Sequence, residues 1–141
     1  MINDGLALTG KLSIALNGET VQKVDNLVVT AGKGYVASRM KDTSATAMSH
    51  MAIGTGSTAA AAGNTALGNQ AARVSLTSTT VSGADIVYVA TFPAGTGTAA
   101  ITEAGILNAS SSGTLLCRTV FSVVNKGASD SMTITWTVTV S

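Results

Sequence analysis

The sequence is poor in the residues that most often carry chemistry. In 141 residues there is one cysteine, Cys117, and one histidine, His50. A single cysteine excludes an internal disulfide and any multi-cysteine metal site, and one His with one Cys cannot furnish a zinc centre. Charged residues make up only 11%, against about 25% in an ordinary soluble domain. The eight basic residues are scattered and the formal net charge is +1. No basic stripe exists to neutralise a run of phosphates, so nucleic acid is not an expected partner. No apolar run approaches the roughly 18 residues of a membrane span. The segment from Met1 to Asn17 holds Lys11 but no continuous apolar core of the signal-peptide kind. Neither a membrane anchor nor a secretion signal is expected.

Small side chains fill the space left by these absences. Ala and Gly occupy 37 positions and Ser and Thr another 36, while aromatics are 4%. A chain so poor in Lys, Glu and Leu does not favour long solvated helices, and its Thr and Val fit a pleated, half-buried surface. A length of 141 residues and a mass of 14.0 kDa suit one domain with one core. A near-neutral surface with few charges generates little colloidal repulsion, which suits a subunit packed against others.

The pattern along the chain is that of strands joined by tight turns. Leu12, Ile14 and Leu16 alternate with Ser13 and Ala15 before Asn17-Gly18, the strongest two-residue hairpin signal, because both central positions of a type I′ turn need positive φ. Strands are predicted over 5–16 and 19–29. From Thr30 to Lys41 the spacing of Tyr35, Val36, Arg39 and Met40 predicts the one helix, ended at Asp42-Thr43-Ser44. Met48 to Ile53 is a short strand leading into a long ordered loop, Gly54 to Asn69. A hairpin turns at Ser82–Asp85 and stops at Pro93, which cannot donate to a ladder. Another runs from Ile101–Asn108 to Thr114–Val124. In the last segment Met132, Ile134, Trp136, Val138 and Val140 alternate strictly with Ser131 and four threonines. About eight strands at this rhythm predict an all-β, single-domain antiparallel β-sandwich or jelly roll over residues 1–141 with one short helix. Residues 1–9 find no partner strand in this reading and are expected to form an extended arm, with Met1, Ile2, Asn3, Asp4, Leu6 and Leu8 as the candidate interface residues.

No catalytic constellation stands out. His50 would have to serve as base for Cys117 or a serine, yet no Gly-x-Ser-x-Gly elbow occurs. The acids Asp4, Glu19, Asp25, Asp42, Asp85, Glu103 and Asp130 neither cluster nor pair, and most fall in predicted turns. Gly54-Thr55-Gly56 has the look of a phosphate cradle, but the Lys-Ser/Thr that completes a P-loop is missing, so a tight turn is expected. Cys117 and Trp136 are expected in the core; Met48 and Met51 fit either the core or an adaptable contact surface. No catalytic, cofactor or metal site is assigned.

Two runs carry a resemblance. Asn26 to Met40, ending Ala37-Ser38-Arg39-Met40, is followed by Met48-Ser49-His50-Met51-Ala52-Ile53-Gly54-Thr55-Gly56 and Thr65-Ala66-Leu67-Gly68; Ile101-Thr102-Glu103-Ala104-Gly105-Ile106-Leu107-Asn108 comes later. Together they resemble tailed-bacteriophage virion proteins over residues 26–140, most of all the small jelly-roll capsid cement, or decoration, proteins. The resemblance implies a non-enzymatic structural protein made in the bacterial cytoplasm. It would act as a homodimer on the outer capsid surface, with the major capsid protein as partner and no cofactor or small-molecule substrate. Similar modules in tail fibres and baseplates imply the alternative, host-surface binding.

Overall fold

The computed structural model describes residues 5–41 and 45–141. Among these residues nine strands and one helix follow in chain order: β1 (Leu8–Leu16), β2 (Glu19–Val28), α1 (Thr30–Lys41), β3 (His50–Gly54), β4 (Gln70–Ser75), β5 (Ser78–Ser82), β6 (Asp85–Phe92), β7 (Ala99–Leu107), β8 (Leu115–Lys126) and β9 (Met132–Val140). The fold is all-β and antiparallel throughout. Hydrogen-bonded neighbours run β4-β3-β7-β8-β2-β1-β9-β6-β5, and this sheet curls so that its two halves face each other across the main core. β2 belongs to both halves: it pairs along β1, then continues through Leu27↔Arg118 and Val28↔Cys117 onto β8.

The chain makes a second such crossing that brings the ends of the curled sheet together. The Leu76 N–H donates to the Ser49 carbonyl beside β3, and the next N–H, of Thr77, donates to the Val89 carbonyl on β6. β4 and β5 are therefore one bent path that leaves one layer and enters the other. Neither Gly nor Pro marks this corner, which is why the sequence shows one strand there and the structure two, raising the expected eight strands to nine.

The first hairpin turns where Asn-Gly predicts, with φ of 52° at Asn17 and 83° at Gly18. Asn17 also ties this turn to the one before β9: its amide donates to Asp130 Oδ1 at 2.8 Å and its carbonyl oxygen accepts from the Ser131 N–H at 3.0 Å. That amide, with the Gly127 N–H, holds the Asp130 carboxyl below its ordinary range. Residues 7–9, expected as part of the arm, are paired instead. Leu8 and Thr9 pair with Val140 and Thr139 of β9, and Ala7 exchanges backbone hydrogen bonds with Ser141. Met1 to Asp4 lie outside the described residues, as does the expected helix stop at Asp42–Ser44.

Strict alternation in β9 places Met132, Ile134, Trp136 and Val138 in the core opposite Met51, Ile53, Ile106 and Cys117 from the other layer. Cys117 and Trp136 are fully buried as expected, and Met48 and Met51 prove to be core residues too. The Trp136 indole N–H donates to Asn26 Oδ1 at 3.0 Å. This bond depends on Gly10, where a Cβ would lie 1.7 Å from the same oxygen. α1 sits directly on β8 for a similar reason: a Cβ at Gly32 would fall 2.1 Å from the Leu116 carbonyl oxygen. Replacing Gly10 by Ala should displace Asn26 from Trp136 and lower stability by about 1–3 kcal/mol, the usual size of overpacking. A urea midpoint unchanged in Gly10→Ala would contradict this account.

Candidate functional site

Two features lie outside the ordinary sandwich, a clamped loop and an apolar cleft. The loop, residues 55–69, drapes over the outer face of β3, β7 and β8. Beneath it a second apolar cluster forms from Val29, Ala52, Leu107 and Leu115, with Ala31 and Leu67 packed against it.

At the centre of the clamp Glu103 on β7 meets Arg118 on β8. The pairing Glu103↔Val120 and Gly105↔Arg118 puts the two on one face, diagonal to each other. Arg118 Nη2 lies 2.9 Å from Glu103 Oε1, with Nε at 3.1 Å from the same oxygen, and both side chains are sealed from solvent. The carboxylate also accepts three backbone N–H groups, each at 2.7 Å: Gly56 and Asn69 on Oε2, Gly68 on Oε1. The guanidinium's remaining donors reach Asn64 Oδ1 and the Thr58 carbonyl, each at 3.0 Å. Both ends of the loop are thereby tied to one ion pair. Burial alone would raise the Glu103 carboxyl; the N–H groups of Asn69 and Gly68, the Arg118 guanidinium and the Gly56 N–H outweigh it and hold the group below its ordinary value.

The Gly54-Thr55-Gly56 stretch thus contributes to an anion cradle after all, and the anion is the protein's own carboxylate. Close approach requires the glycines, since a Cβ at Gly56 would lie 2.4 Å from Glu103 Oε2. Glu103 does not sit in a turn, as most of the acids were expected to. Its signal in the sequence is a lone acid inside the apolar run Ile101–Leu107, matched by a lone Arg inside Leu115–Phe121.

The cleft opens at one end of the sandwich, between α1 and the ends of β1, β5, β6 and β9. It encloses about 340 Å³ among Leu8, Tyr35, Val36, Val81, Ile86 and Tyr88, with Arg39 the only charged lining residue among the described residues. A second hollow shares Leu8, Val36 and Val140 with it and extends past Leu6 and Met40. Burial, helped by the neighbouring Tyr35, pushes the Tyr88 phenol up to about 12, so it stays protonated at the cleft wall. Of the candidate interface residues, Leu8 lines both hollows and Leu6 stands 74% exposed at the rim; Met1, Ile2, Asn3 and Asp4 lie outside the described residues.

The His50 ring nitrogens face the hydroxyls of Ser49 at 2.7 Å and Ser75 at 3.4 Å. Burial drives the Cys117 thiol well up, away from the thiolate form that nucleophilic chemistry uses. Among the described residues no three His, Cys, Asp or Glu side chains group together, and no helix is long and apolar enough to cross a membrane.

Glu103→Gln leaves the buried Arg118 charge uncompensated, and removing one partner of a buried pair costs about 3–5 kcal/mol. The denaturation midpoint should fall accordingly, and limited proteolysis should cut within 55–69 at protein concentrations where the wild type resists. The pH dependence has a definite sign. Because the folded-state value lies below the unfolded one, the stabilisation is complete above the ordinary glutamate range. It is lost as pH falls below about 4, through the folded value. Denaturation between pH 6 and pH 2 should show a drop for wild type that is much reduced in Glu103→Gln. Comparison with protein-family models, with curated proteins and with solved structures finds no match for this chain.

Proposed function

We propose that this chain is a structural virion protein that binds the outside of a tailed-phage capsid as a cement subunit, bridging neighbouring major capsid proteins as a jelly-roll homodimer. The observation that carries the reading is the outer face of the β5-β6-β9-β1 layer. Register aligns Ser78, Val89, Thr135 and Ser13 in one row and Thr80, Val87, Thr137 and Lys11 in the next. Thr133, Thr135, Thr137 and Thr139 are half-buried along its middle strand. Hydroxyls lose less hydration than ammonium or carboxylate groups when covered, and can donate or accept across a seam. A hydroxyl-lined sheet face with few charges suits permanent contact with another protein. A large gain in shell cohesion needs no single strong site, because interfaces of roughly 1,200–2,000 Å² repeat over the whole particle. The clamp supports the same reading, since a long loop fastened by a buried ion pair presents a fixed shape. The motif runs at Asn26–Met40, Met48–Gly56 and Ile101–Asn108 point the same way by resemblance.

The test is co-sedimentation of the purified chain with expanded shells that lack it, together with mass determination in solution. Stoichiometric binding by a dimer is expected, and the double substitution Thr135→Glu/Thr137→Glu should weaken binding about tenfold or more while leaving the circular dichroism unchanged. A trimer that ignores shells and binds cells would overturn the capsid reading in favour of a tail-fibre or baseplate module.

A further inference from the structure

The open edge of β5 is unlike the other edge of the curled sheet. β5 reads Ser78-Thr79-Thr80-Val81-Ser82, all five residues exposed, and it pairs on one side only, with β6. Exposed edges are ordinarily blunted by a lysine, a proline, a bulge or an inward charge, because bare backbone donors and acceptors recruit further strands. Nothing of the kind occurs within β5, whose side chains carry no charge. On β4, at the opposite edge, Arg73 supplies a charge, fastened to Gln70 Oε1 and to the carbonyls of Ala109 and Ser112.

The two-residue turn Gly83-Ala84 makes Ser82 and Asp85 a hydrogen-bonded pair, and the pairs alternate along an antiparallel ladder. The backbone groups of Thr80 therefore face β6, whereas those of Thr79 and Val81 face outward. Among the described residues no backbone partner takes them. Val81 is 70% exposed although its side chain points to the core side of the layer, over the apolar cleft.

From this we infer that β5 is a self-pairing edge: two copies of the chain join their sheets antiparallel through β5, with the two-fold axis at Thr80. The strand is self-complementary about that residue. Ser78 comes opposite the partner's Ser82, and each Thr79 exchanges both backbone hydrogen bonds with the partner's Val81. No charge meets a like charge within the seam, and Asp85, one strand in, is already held by the Thr139 hydroxyl at 2.6 Å. Pairing covers the two Val81 side chains and extends the wall of both clefts across the junction. The hydroxyl-rich outer face becomes one sheet spanning both copies, which gives a bridging subunit two equivalent faces. The inference rests on the dimeric part of the reading above and is independent of what the dimer binds.

Thr80→Cys tests the axis directly. Directly opposed residues of a pair without mutual hydrogen bonds lie about 4.5 Å apart between Cα atoms, within the disulfide range. Mild oxidation of the full-length variant should convert most of the chain to a species of twice the mass on a non-reducing gel. Wild type should give none, its only thiol being buried, and Val87→Cys, one strand in on the same face, should also give none. Thr79→Lys/Val81→Lys should keep the wild-type circular dichroism and weaken the dimer about tenfold or more in sedimentation equilibrium. A wild type that sediments as a monomer at tens of micromolar would sink the inference. So would a dimer whose mass survives the lysines, or one that cross-links as well through Val87→Cys as through Thr80→Cys. Because every readout is taken without shells, failure to bind capsids would leave this interface standing, and its loss would leave shell binding to be judged separately.

Discussion

The ion pair of Glu103 and Arg118 is the interaction on which the least regular part of the molecule depends. Taking two charges out of water is expensive, and their mutual attraction offsets that only when the remaining lone pairs and protons are satisfied as well. Here the loop itself supplies the partners: three backbone N–H groups on the carboxylate, a side-chain oxygen and a carbonyl on the guanidinium. The dependence is mutual. Without the pair, a fifteen-residue connection rich in Gly and Ala has few apolar side chains with which to hold a shape; without the loop, the charges are stranded on a sheet face. Lys126 repeats the theme on a smaller scale, buried with its ammonium donating to the carbonyls of Pro93 and Asp130. Three of the few charges, Glu103, Arg118 and Lys126, are thus interior fasteners.

Local chemistry made much of the fold legible. Asn17-Gly18 requires two positive φ values and has them; the alternation of Met132 to Val140 can serve only a strand with one buried face; Thr30 and the spacing after it place α1 at Thr30–Lys41. The corner at Leu76-Thr77 was not legible, because a chain that changes layers without Gly or Pro looks like one that runs straight on. The strand start near residues 5–8 was legible, but its partner was missed for a different reason. Leu8 and Thr9 find their partners on β9, some 130 residues away, and no local pattern announces a pairing so distant.

The clamp lay beyond sequence reading for a related reason. Glu103 and Arg118 belong to separate strands, offset by one step of the ladder, and the groups that complete the site are backbone N–H groups, which have no side-chain signature. What the sequence did show was an acid and a base each isolated among apolar neighbours, together with glycines at 54, 56 and 68. Only the register of β7 against β8 turns those separate facts into one site.

The placement of β9 carries a consequence for how the chain reaches this structure. β9 lies between β1 and β6, so the strand at the middle of one layer comes later in the chain than both of its neighbours. During synthesis the β1-β2 and β5-β6 hairpins can form early, yet each waits with an unpaired flank until residues 132–140 leave the ribosome. Long-range pairing of this kind is slow and keeps strand edges exposed while it is incomplete. A sequence with so few charges has little repulsion to keep such edges apart while they wait. High-level synthesis therefore favours conditions that slow translation or lower temperature, and truncation within β9 removes the keystone of a whole layer along with its nine residues.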